Sequence, residues 1–382
     1  MKLTSLFRKI FDSEQTGGII LLICTMVSIA VANTSFGESY HHFWQYRIAG
    51  YSIEHWINHG FMAVFFLLIG LELEREIYEG ELSNLKGALL PIFAALGGML
   101  IPAGFYMLVN AGSVTQSGAG IPMATDIAFA LGIISLLGKR VPLSLKIFLT
   151  ALAVIDDLGA ILVIAVFYSQ SLVWTNLLIA LGIFGVLLIF NRLNIKKLIP
   201  YIAGGLIMWY FMEHSGIHST VTGVLLAFAI PFRKEGEKSP SFKMYHWIEK
   251  PVAFLVLPVF ALANTAIIFG TGATEIFRQD YTLGIALGLI AGKPLGVFIF
   301  SYLAVILGIS ELSGELNWKT IAGAGLLTGI GFTMSIFITL LAFEDITMIN
   351  NAKLMILISS LISGIAGYTM LKLVLKKSVS PG

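Results

Sequence analysis

Four charged side chains stand alone inside long apolar stretches of the sequence. Asp126 is the only charged residue between positions 87 and 138, and Lys293 is the only one between positions 281 and 310. Asp156 and Asp157 are the only charged residues between positions 147 and 191. An ionised group at the centre of a bilayer costs at least about 2.5–3.5 kcal/mol. If these stretches cross a membrane, the four residues therefore indicate a functional site.

Carboxylates in such a setting can hold either a proton or a hard cation. Oxygen ligands suit Na+ or Li+, and the hydroxyl of Thr125 with freed backbone carbonyls could complete the coordination shell. Adjacent Asp156 and Asp157 project about 100° apart on a helix, so one can face the ion while the other contacts a second helix. If the site changes its exposure from one side of the membrane to the other slowly when it is empty and charged, and readily when it is occupied, competition for the site produces exchange of H+ against the cation.

The elements that carry these residues are predicted to be transmembrane helices. The chain is 57% hydrophobic and 12% charged, whereas soluble domains have roughly 25% charged residues. Apolar stretches approach the length of about 20 residues that a helix needs to cross a bilayer. About twelve are predicted, at 13–33, 55–78, 88–110, 120–137, 143–168, 174–191, 198–212, 216–232, 247–268, 281–307, 319–342 and 350–371. We therefore expect an all-α integral membrane protein, with residues 1–382 forming a single membrane transport domain.

The basic residues predict the orientation of the chain. If both termini lie in the cytoplasm, 20 of the 24 basic residues fall on the cytoplasmic side, Lys293 lies inside an apolar stretch, and only Arg47, Arg278 and Lys353 fall on the opposite side. This asymmetry favours an even number of spans with both termini inside. The polar segment 35–53 then lies outside the cell, and its alternating residues around Gly50 predict a small hairpin.

Two of the predicted spans, the fourth and the eleventh, contain glycine, proline and small polar residues in place of bulky aliphatic ones. They run from Gly118 to Asp126 and from Gly323 to Thr333. Such stretches can interrupt a membrane helix where protein or a water-filled cavity satisfies the backbone. We expect two discontinuous, crossing helices, each second in a three-span unit, so that spans 3–5 and 10–12 form inverted repeats. The alternative is that both are continuous helices with glycine-rich packing faces.

Interrupted helices that cross would bring like helix ends together. Each end carries roughly half an elementary charge, positive at the N-terminus and negative at the C-terminus. Asp126 is placed to balance the positive ends, and Lys293 to balance the negative ones.

Several long strings resemble the signatures of the bacterial Na+/H+ antiporter A family. They are FFLLIGLELERE (65–76), ATDIAFALG (124–132), KIFLTALAVIDDLGAI (146–161), SGIHSTVTGV (215–224), GKPLG (292–296) and GIGFTMSIFI (329–338). The resemblance implies a twelve-span protein of the bacterial inner membrane. It also implies pH-regulated, electrogenic export of Na+ or Li+ in exchange for a larger number of H+, with a role in Na+ and pH homeostasis.

The resemblance also assigns roles to the isolated charges. It implies that Asp156 and Asp157 form the Na+ and proton site and that Lys293 pairs with Asp156. Thr125 and Asp126 would lie where the broken helices cross.

The same resemblance suggests a region of pH regulation near the cytoplasmic entrance to the site. Its residues in this sequence are Glu72, Arg75 and Glu76, with His218 and His246. Histidine titrates near pH 6.5 and could contribute to a pH response, although a lone histidine is more often a hydrogen-bonded packing residue. The chain departs from the family pattern at Glu74, where a basic residue is common, and at His246, where an acidic one is.

The expected partners are the transported Na+ or Li+ and H+, the lipid bilayer and a second copy of the chain, with no nucleic acid. No cofactor is expected. The single Cys24 rules out an intramolecular disulfide and does not favour a resident metal site.

Three other classes of membrane protein use some of these features. An intramembrane aspartyl protease also places two aspartates on separate helices, but it typically carries a Gly-x-Gly-Asp string, whereas Asp126 follows Ala-Thr and Asp156 follows Val-Ile. A cation channel would carry a selectivity-filter repeat or an arginine-rich sensor helix. A sodium-coupled symporter of an organic solute remains open on fold alone. We expect a secondary transporter and not an enzyme.

Overall fold

A computed structural model describes residues 14–169, 171–233, 239–268, 276–312 and 314–375. Helices make up most of this part of the chain. In chain order they are α1 (Glu14–Ala32), α2 (Gly37–Gln45), α3 (Ile53–Tyr78), α4 (Leu85–Asn110), α5 (Ile127–Ser135), α6 (Leu143–Phe167), α7 (Trp174–Arg192), α8 (Ile199–Glu213), α9 (Val221–Ala229), α10 (Pro240–Asn264), α11 (Asp280–Ile306), α12 (Trp318–Thr328), α13 (Phe332–Ala342) and α14 (Ile346–Val374). A 3-10 helix, Val114–Met123, precedes α5, and two short strands, β1 (Arg47–Ile48) and β2 (Tyr51–Ser52), follow α2.

The lengths and apolar composition of these helices define a membrane protein. Eight helical segments in the described part are long and apolar enough to cross a bilayer, and there are ten if each bent pair of helices is one span. The bent pairs are α1 with α2, at 115°, and α12 with α13, at 47°. Helices α8 and α9 occupy two further predicted stretches, but their 15 and 9 residues are fewer than the roughly 20 of a straight span. The chain is thus an all-α membrane protein with eight to ten candidate spans in its described residues.

The described residues fall into two compact units. The first draws on residues 14–23, 84–160, 267–268, 276–312 and 314–375, and it contains both interrupted spans. Within it α4 packs closely on α11, because a Cβ on Gly296 would overlap the carbonyl oxygen of Gly97. Small residues at such crossings let two helix backbones touch, which is how membrane helices gain packing without a hydrophobic driving force.

The second unit draws on residues 24–83, 161–169, 171–233 and 239–266. Helix α3 packs on α9 at Gly223, where a Cβ would overlap the carbonyl oxygen of Ala63. Strands β1 and β2 pair antiparallel, with Arg47 opposite Ser52. Ala49 and Gly50 connect them with φ of 51° and 90°. Two consecutive positive φ angles are typical of the tight turn that matches the twist of a hairpin.

Three helices contain a π-helical turn, in which each N–H donates to the carbonyl five residues earlier. These turns are Trp56–Phe61 in α3, Val252–Val256 in α10 and Gly288–Gly292 in α11. Such turns occur mostly as single insertions in α-helices, frequently at functional sites. The turn in α11 ends directly before Lys293.

Candidate ion-binding site

The break between Met123 and Ile127 begins the candidate site. Pro122 lies in the last turn of the 3-10 helix and donates no N–H to it, and after Met123 the residues Ala124 and Asp126 adopt extended backbone conformations. Asp126 then caps α5, because its Oδ1 accepts a hydrogen bond of 3.1 Å from the N–H of Phe129. A capping carboxylate satisfies one of the N–H groups that a helix start leaves unpaired.

The second break, between α12 and α13, contacts the first one directly. The N–H of Asp126 donates to the carbonyl of Ile330 over 2.7 Å. Asp126 Oδ2 accepts two hydrogen bonds from Thr333, from its N–H over 3.1 Å and from its hydroxyl over 2.5 Å. A single buried carboxylate therefore caps the N-terminal ends of both α5 and α13, where the helix dipoles are positive.

The C-terminal ends of the two preceding half-helices also meet polar groups. Lys293 Nζ donates to the carbonyl of Met123, the last residue of the 3-10 helix. Thr125 Oγ1 lies 3.0 Å from the carbonyl oxygen of Thr328, the last residue of α12. A cation and a hydroxyl donor thus lie at the ends where the dipoles are negative.

Lys293 and Asp156 form a buried ion pair beside the two breaks. Their Nζ and Oδ2 atoms lie 2.5 Å apart, and both side chains are 0% exposed. Thr125 Oγ1 lies 2.5 Å from the same Oδ2. Because a threonine hydroxyl has one proton, Thr125 can donate to Asp156 or to the carbonyl of Thr328 but not fully to both. Its orientation can therefore follow the protonation of Asp156.

One carboxylate oxygen of Asp156 is available to a ligand. Oδ1 is buried and accepts no hydrogen bond from the described residues. A buried acceptor without a donor is costly unless something satisfies it, and a hard cation or a proton would do so. Asp157, 1% exposed, is close enough to attract Lys293 electrostatically. The arrangement can hold a small cation on carboxylate, hydroxyl and carbonyl oxygens, in competition with protons and with Lys293.

The structure adds groups that the sequence did not single out as site residues. Thr333 binds Asp126 twice, and the carbonyls of Met123, Thr328 and Ile330 accept hydrogen bonds in the site. The signal for Thr333 was its place at the end of the glycine-rich string of the eleventh span. The three carbonyls could not be predicted, because every residue has a main-chain carbonyl and residue type does not indicate which one takes part in a site.

The residues suggested for pH regulation do not form one cluster. The guanidinium of Arg75 lies 5.7 Å from the centre of the Tyr245 ring. His246, on the same helix as Tyr245, lies 3.4 Å from Glu249 on the surface. Glu74 is buried and accepts a hydrogen bond of 2.9 Å from Ser241. Glu72 and Glu76 lie in the same part of α3, one before and one after Glu74 and Arg75 in the sequence.

His218 lies near the other end of α3. Its ring stacks on His59 with centroids 4.5 Å apart, and its Nδ1 is 2.8 Å from the hydroxyl of Thr220. Sixteen residues of α3 separate His59 from Arg75, which corresponds to about 24 Å at a rise of about 1.5 Å per residue. His218 and the group around Arg75 would therefore have to respond to pH separately.

Comparison with known proteins places these features in a family. The family model described as Na+/H+ antiporter 1 matches residues 8–371. The Na(+)/H(+) antiporter NhaA of Flavobacterium psychrophilum is 64% identical over 99% of both chains. Na(+)/H(+) antiporter NhaA 1 of Flavobacterium johnsoniae is 58% identical over 98% of both, and a relative named Na(+)/H(+) antiporter NhaA in Vibrio campbellii is 47% identical over 98% of this chain and 97% of its own.

The fold and the buried charged site are those of a multi-pass membrane transporter. The chain belongs to the Na+/H+ antiporter 1 family, as the sequence resemblance predicted.

Proposed function

We propose that the protein exchanges Na+ or Li+ for H+ across the membrane by competition at Asp156 and Asp157. The observation that carries the proposal is the buried carboxylate of Asp156, which binds Lys293 and Thr125 through Oδ2 and keeps Oδ1 for a ligand. Three positive species, a proton, a metal cation and the ammonium of Lys293, then compete for the same carboxylate pair. The exchange requires no cofactor.

Competition at two carboxylates also explains an unequal exchange. Two carboxylates can take up two protons, whereas oxygen ligands shared between them hold a single monovalent cation. If two protons enter for each Na+ that leaves, the cycle moves one net charge and responds to the membrane potential. We therefore propose electrogenic exchange in the direction of Na+ export, which serves Na+ and pH homeostasis.

For the membrane topology we propose twelve spans, with α1 as the first span, α8 and α9 as short spans and α12 with α13 as one span. Both termini then lie in the cytoplasm of a bacterial inner membrane, an orientation that the distribution of Lys and Arg favours. Spans 3–5 and 10–12 would be inverted repeats whose broken helices cross at the site. Hydrogen bonds between the two breaks, such as that from Asp126 to Ile330, support this arrangement.

Two further features of the proposal concern regulation and assembly. We propose that pH acts at the group formed by Glu72, Arg75 and Glu76 together with His246, and separately at His218. We also propose a homodimer that forms through the hairpin. Arg47 and Ile48 of β1 are exposed, and a two-stranded ribbon leaves backbone groups at its edges that a second copy can pair with.

The experiment is a flux measurement on the purified chain in lipid vesicles. An imposed Na+ gradient should drive protons in the opposite direction, and clamping the membrane potential at different values should change the rate. Asp157→Asn should abolish the Na+-dependent proton flux, because an amide cannot carry a proton between the two sides. Asp345→Asn, at the exposed N-cap of α14, is the control and should leave the flux intact, because Asp345 contacts none of the site residues named above.

The outcomes separate the classes of protein. Na+ movement that needs no counter-moving H+ would indicate a channel, and Na+ movement that depends on an organic solute would indicate a symporter. Substantial exchange by a correctly inserted Asp157→Asn protein would refute the assignment of the site.

A further inference from the structure

A second group of ionisable side chains lies in the unit that does not contain Asp156. Among the residues that the structure describes, His55, His59 and Glu213 place three potential metal-ligand atoms within 4.8 Å of one another. His59 Nδ1 lies 2.9 Å from Glu213 Oε2, and His55 Nε2 lies 3.1 Å from Glu213 Oε1. The proposed exchange of Na+ for H+ uses none of the three.

The two histidines lie on one face of the start of α3, four residues apart. Ser52 accepts a hydrogen bond of 3.1 Å from the N–H of His55, which fixes the beginning of the helix. The two imidazole rings stack with centroids 4.0 Å apart and planes 14° apart, and Tyr51 stacks on the outer face of His55 at 4.4 Å. Because neighbouring rings hold both histidines, their orientations are set before any ligand arrives.

Each histidine nitrogen lies near a different oxygen of Glu213, and all three ligand atoms lie within 4.8 Å of one another, which is compatible with a shared metal ion. Zinc binds histidine nitrogens and carboxylate oxygens at about 2.0–2.2 Å, which separates the ligand atoms by about 3.3–3.5 Å. The pairs at 2.9 and 3.1 Å would need to open by only a few tenths of an ångström. Two histidines and one glutamate form a known ligand set for Zn2+ that leaves a fourth position for water.

The other reading of the cluster is a pair of histidine–glutamate hydrogen bonds without a metal. His59 fits that reading, since its Nδ1 is hydrogen-bonded to Glu213 and also lies 3.3 Å from Ser219 Oγ. His55 Nε2 is buried and lies 3.1 Å from Glu213 Oε1, a distance at which a protonated nitrogen can donate a hydrogen bond and an unprotonated one can share an ion with the carboxylate. Only the second state leaves a nitrogen lone pair for a metal.

We propose that His55 Nε2, His59 Nδ1 and one or both oxygens of Glu213 bind a divalent metal ion of the Zn2+ type. The three side chains are 26%, 24% and 11% exposed, so they lie near the surface of the described chain and not in its core. On the topology proposed above the site faces the outside of the cell. The bound ion joins the end of α8 to the start of α3. This proposal departs from the expectation that a chain with a single cysteine holds no metal, and it does not depend on the transport activity.

The test is metal binding by the purified full-length chain, carried on a tag without histidine and stripped with a chelator. Titration with Co2+ should give the visible absorption bands of a tetrahedral ion, saturating at one ion per chain, and Zn2+ should displace them. His55→Gln, His59→Gln and Glu213→Gln should each weaken binding at least 10-fold, since losses of about 10–100-fold are typical even for residues that only orient a ligand. His246→Gln removes one partner of a surface His–Glu pair with no third ligand, and it should bind as the wild type does.

Destabilisation of the variants must be separated from loss of the site. The melting temperature of each metal-free variant therefore serves as its own baseline. Zn2+ should raise the melting temperature of the wild type above its baseline, and it should not raise that of the variants. Glu213→His restores a third ligand and should regain binding. No saturable Co2+ bands in the wild type would overturn the proposal, and so would equal binding by the wild type and the His55 and Glu213 variants.

Discussion

The protein should lose more folding stability when either Lys293 or Asp156 is replaced alone than when both are replaced together. Two unit charges 2.5 Å apart attract each other by about 7 kcal/mol at an effective dielectric constant of about 20. Burial of the two charges costs several kcal/mol for each ion, which offsets most of this attraction. The intact pair thus contributes little net stability, whereas removing one partner leaves a buried charge alone and costs about 3–5 kcal/mol.

The measurement is a double-mutant cycle made of Asp156→Asn, Lys293→Gln and the protein with both changes. If the pair interacts, each single change should lower the melting temperature by several degrees. The double variant should melt above at least one of the singles, because two amide side chains can hydrogen-bond each other. The expected coupling is about 2–3 kcal/mol, at the upper end of values for residues in contact. All four proteins are heated in one detergent, at one pH and one scan rate, because unfolding of large proteins is often irreversible and then depends on the rate.

A matched cycle on His246 and Glu249 is the control. This pair lies 3.4 Å apart with side chains 51% and 45% exposed, and exposed ion pairs contribute only about 0–1 kcal/mol. The stability effects of replacing His246 and Glu249 should therefore add. If the effects of the Lys293 and Asp156 changes also add, the two residues do not interact energetically, and Lys293 acts through its other neighbours, the carbonyl of Met123 and Asp157.

Two further predictions concern the caps and the hairpin. Asp126→Ala removes the caps of two helices and should cost about 1–4 kcal/mol, at about 0.5–2 kcal/mol for each cap, whereas Asp345→Ala removes one exposed cap and should cost no more than about half as much. Equal losses of thermal stability in these two variants would contradict the double role of Asp126. Deleting residues 47–52 should shift the detergent-solubilised protein toward the monomer, measured by light scattering, while vesicle flux stays measurable; an unchanged dimer fraction would rule out the hairpin as the interface.

The positions of most helices could be predicted from the sequence, because burial in lipid requires long apolar stretches. The locations of both breaks could also be predicted, since glycine and proline leave backbone groups that a membrane helix cannot satisfy by itself. The π-helical turns could not. A turn such as Gly288–Gly292 changes only which carbonyl each N–H reaches, and hydropathy does not record that choice.

For the candidate site, the charges could be predicted but most of their partners could not. An isolated Asp126 or Lys293 in an apolar stretch stands out because a charged group in the membrane carries a high free-energy cost, so residue type alone identifies it. Thr333 costs little in a membrane helix and gives no comparable signal. The spacing of His55 and His59 places them on one face of a helix, but only the structure brings Glu213 to them, because more than 150 residues separate it from either histidine.

The double cap of Asp126 has a mechanical consequence. Its backbone N–H and Oδ2 join the two breaks through three hydrogen bonds, and its Oδ1 caps α5 through a fourth. Neither break can therefore shift alone without leaving a buried carboxylate and helix N–H groups unsatisfied. During a transport cycle the two broken helices would therefore move as one rigid unit. Any movement that opens the site to one side of the membrane must then occur around this unit, by sliding of the surrounding helices, and not by separation of the two breaks.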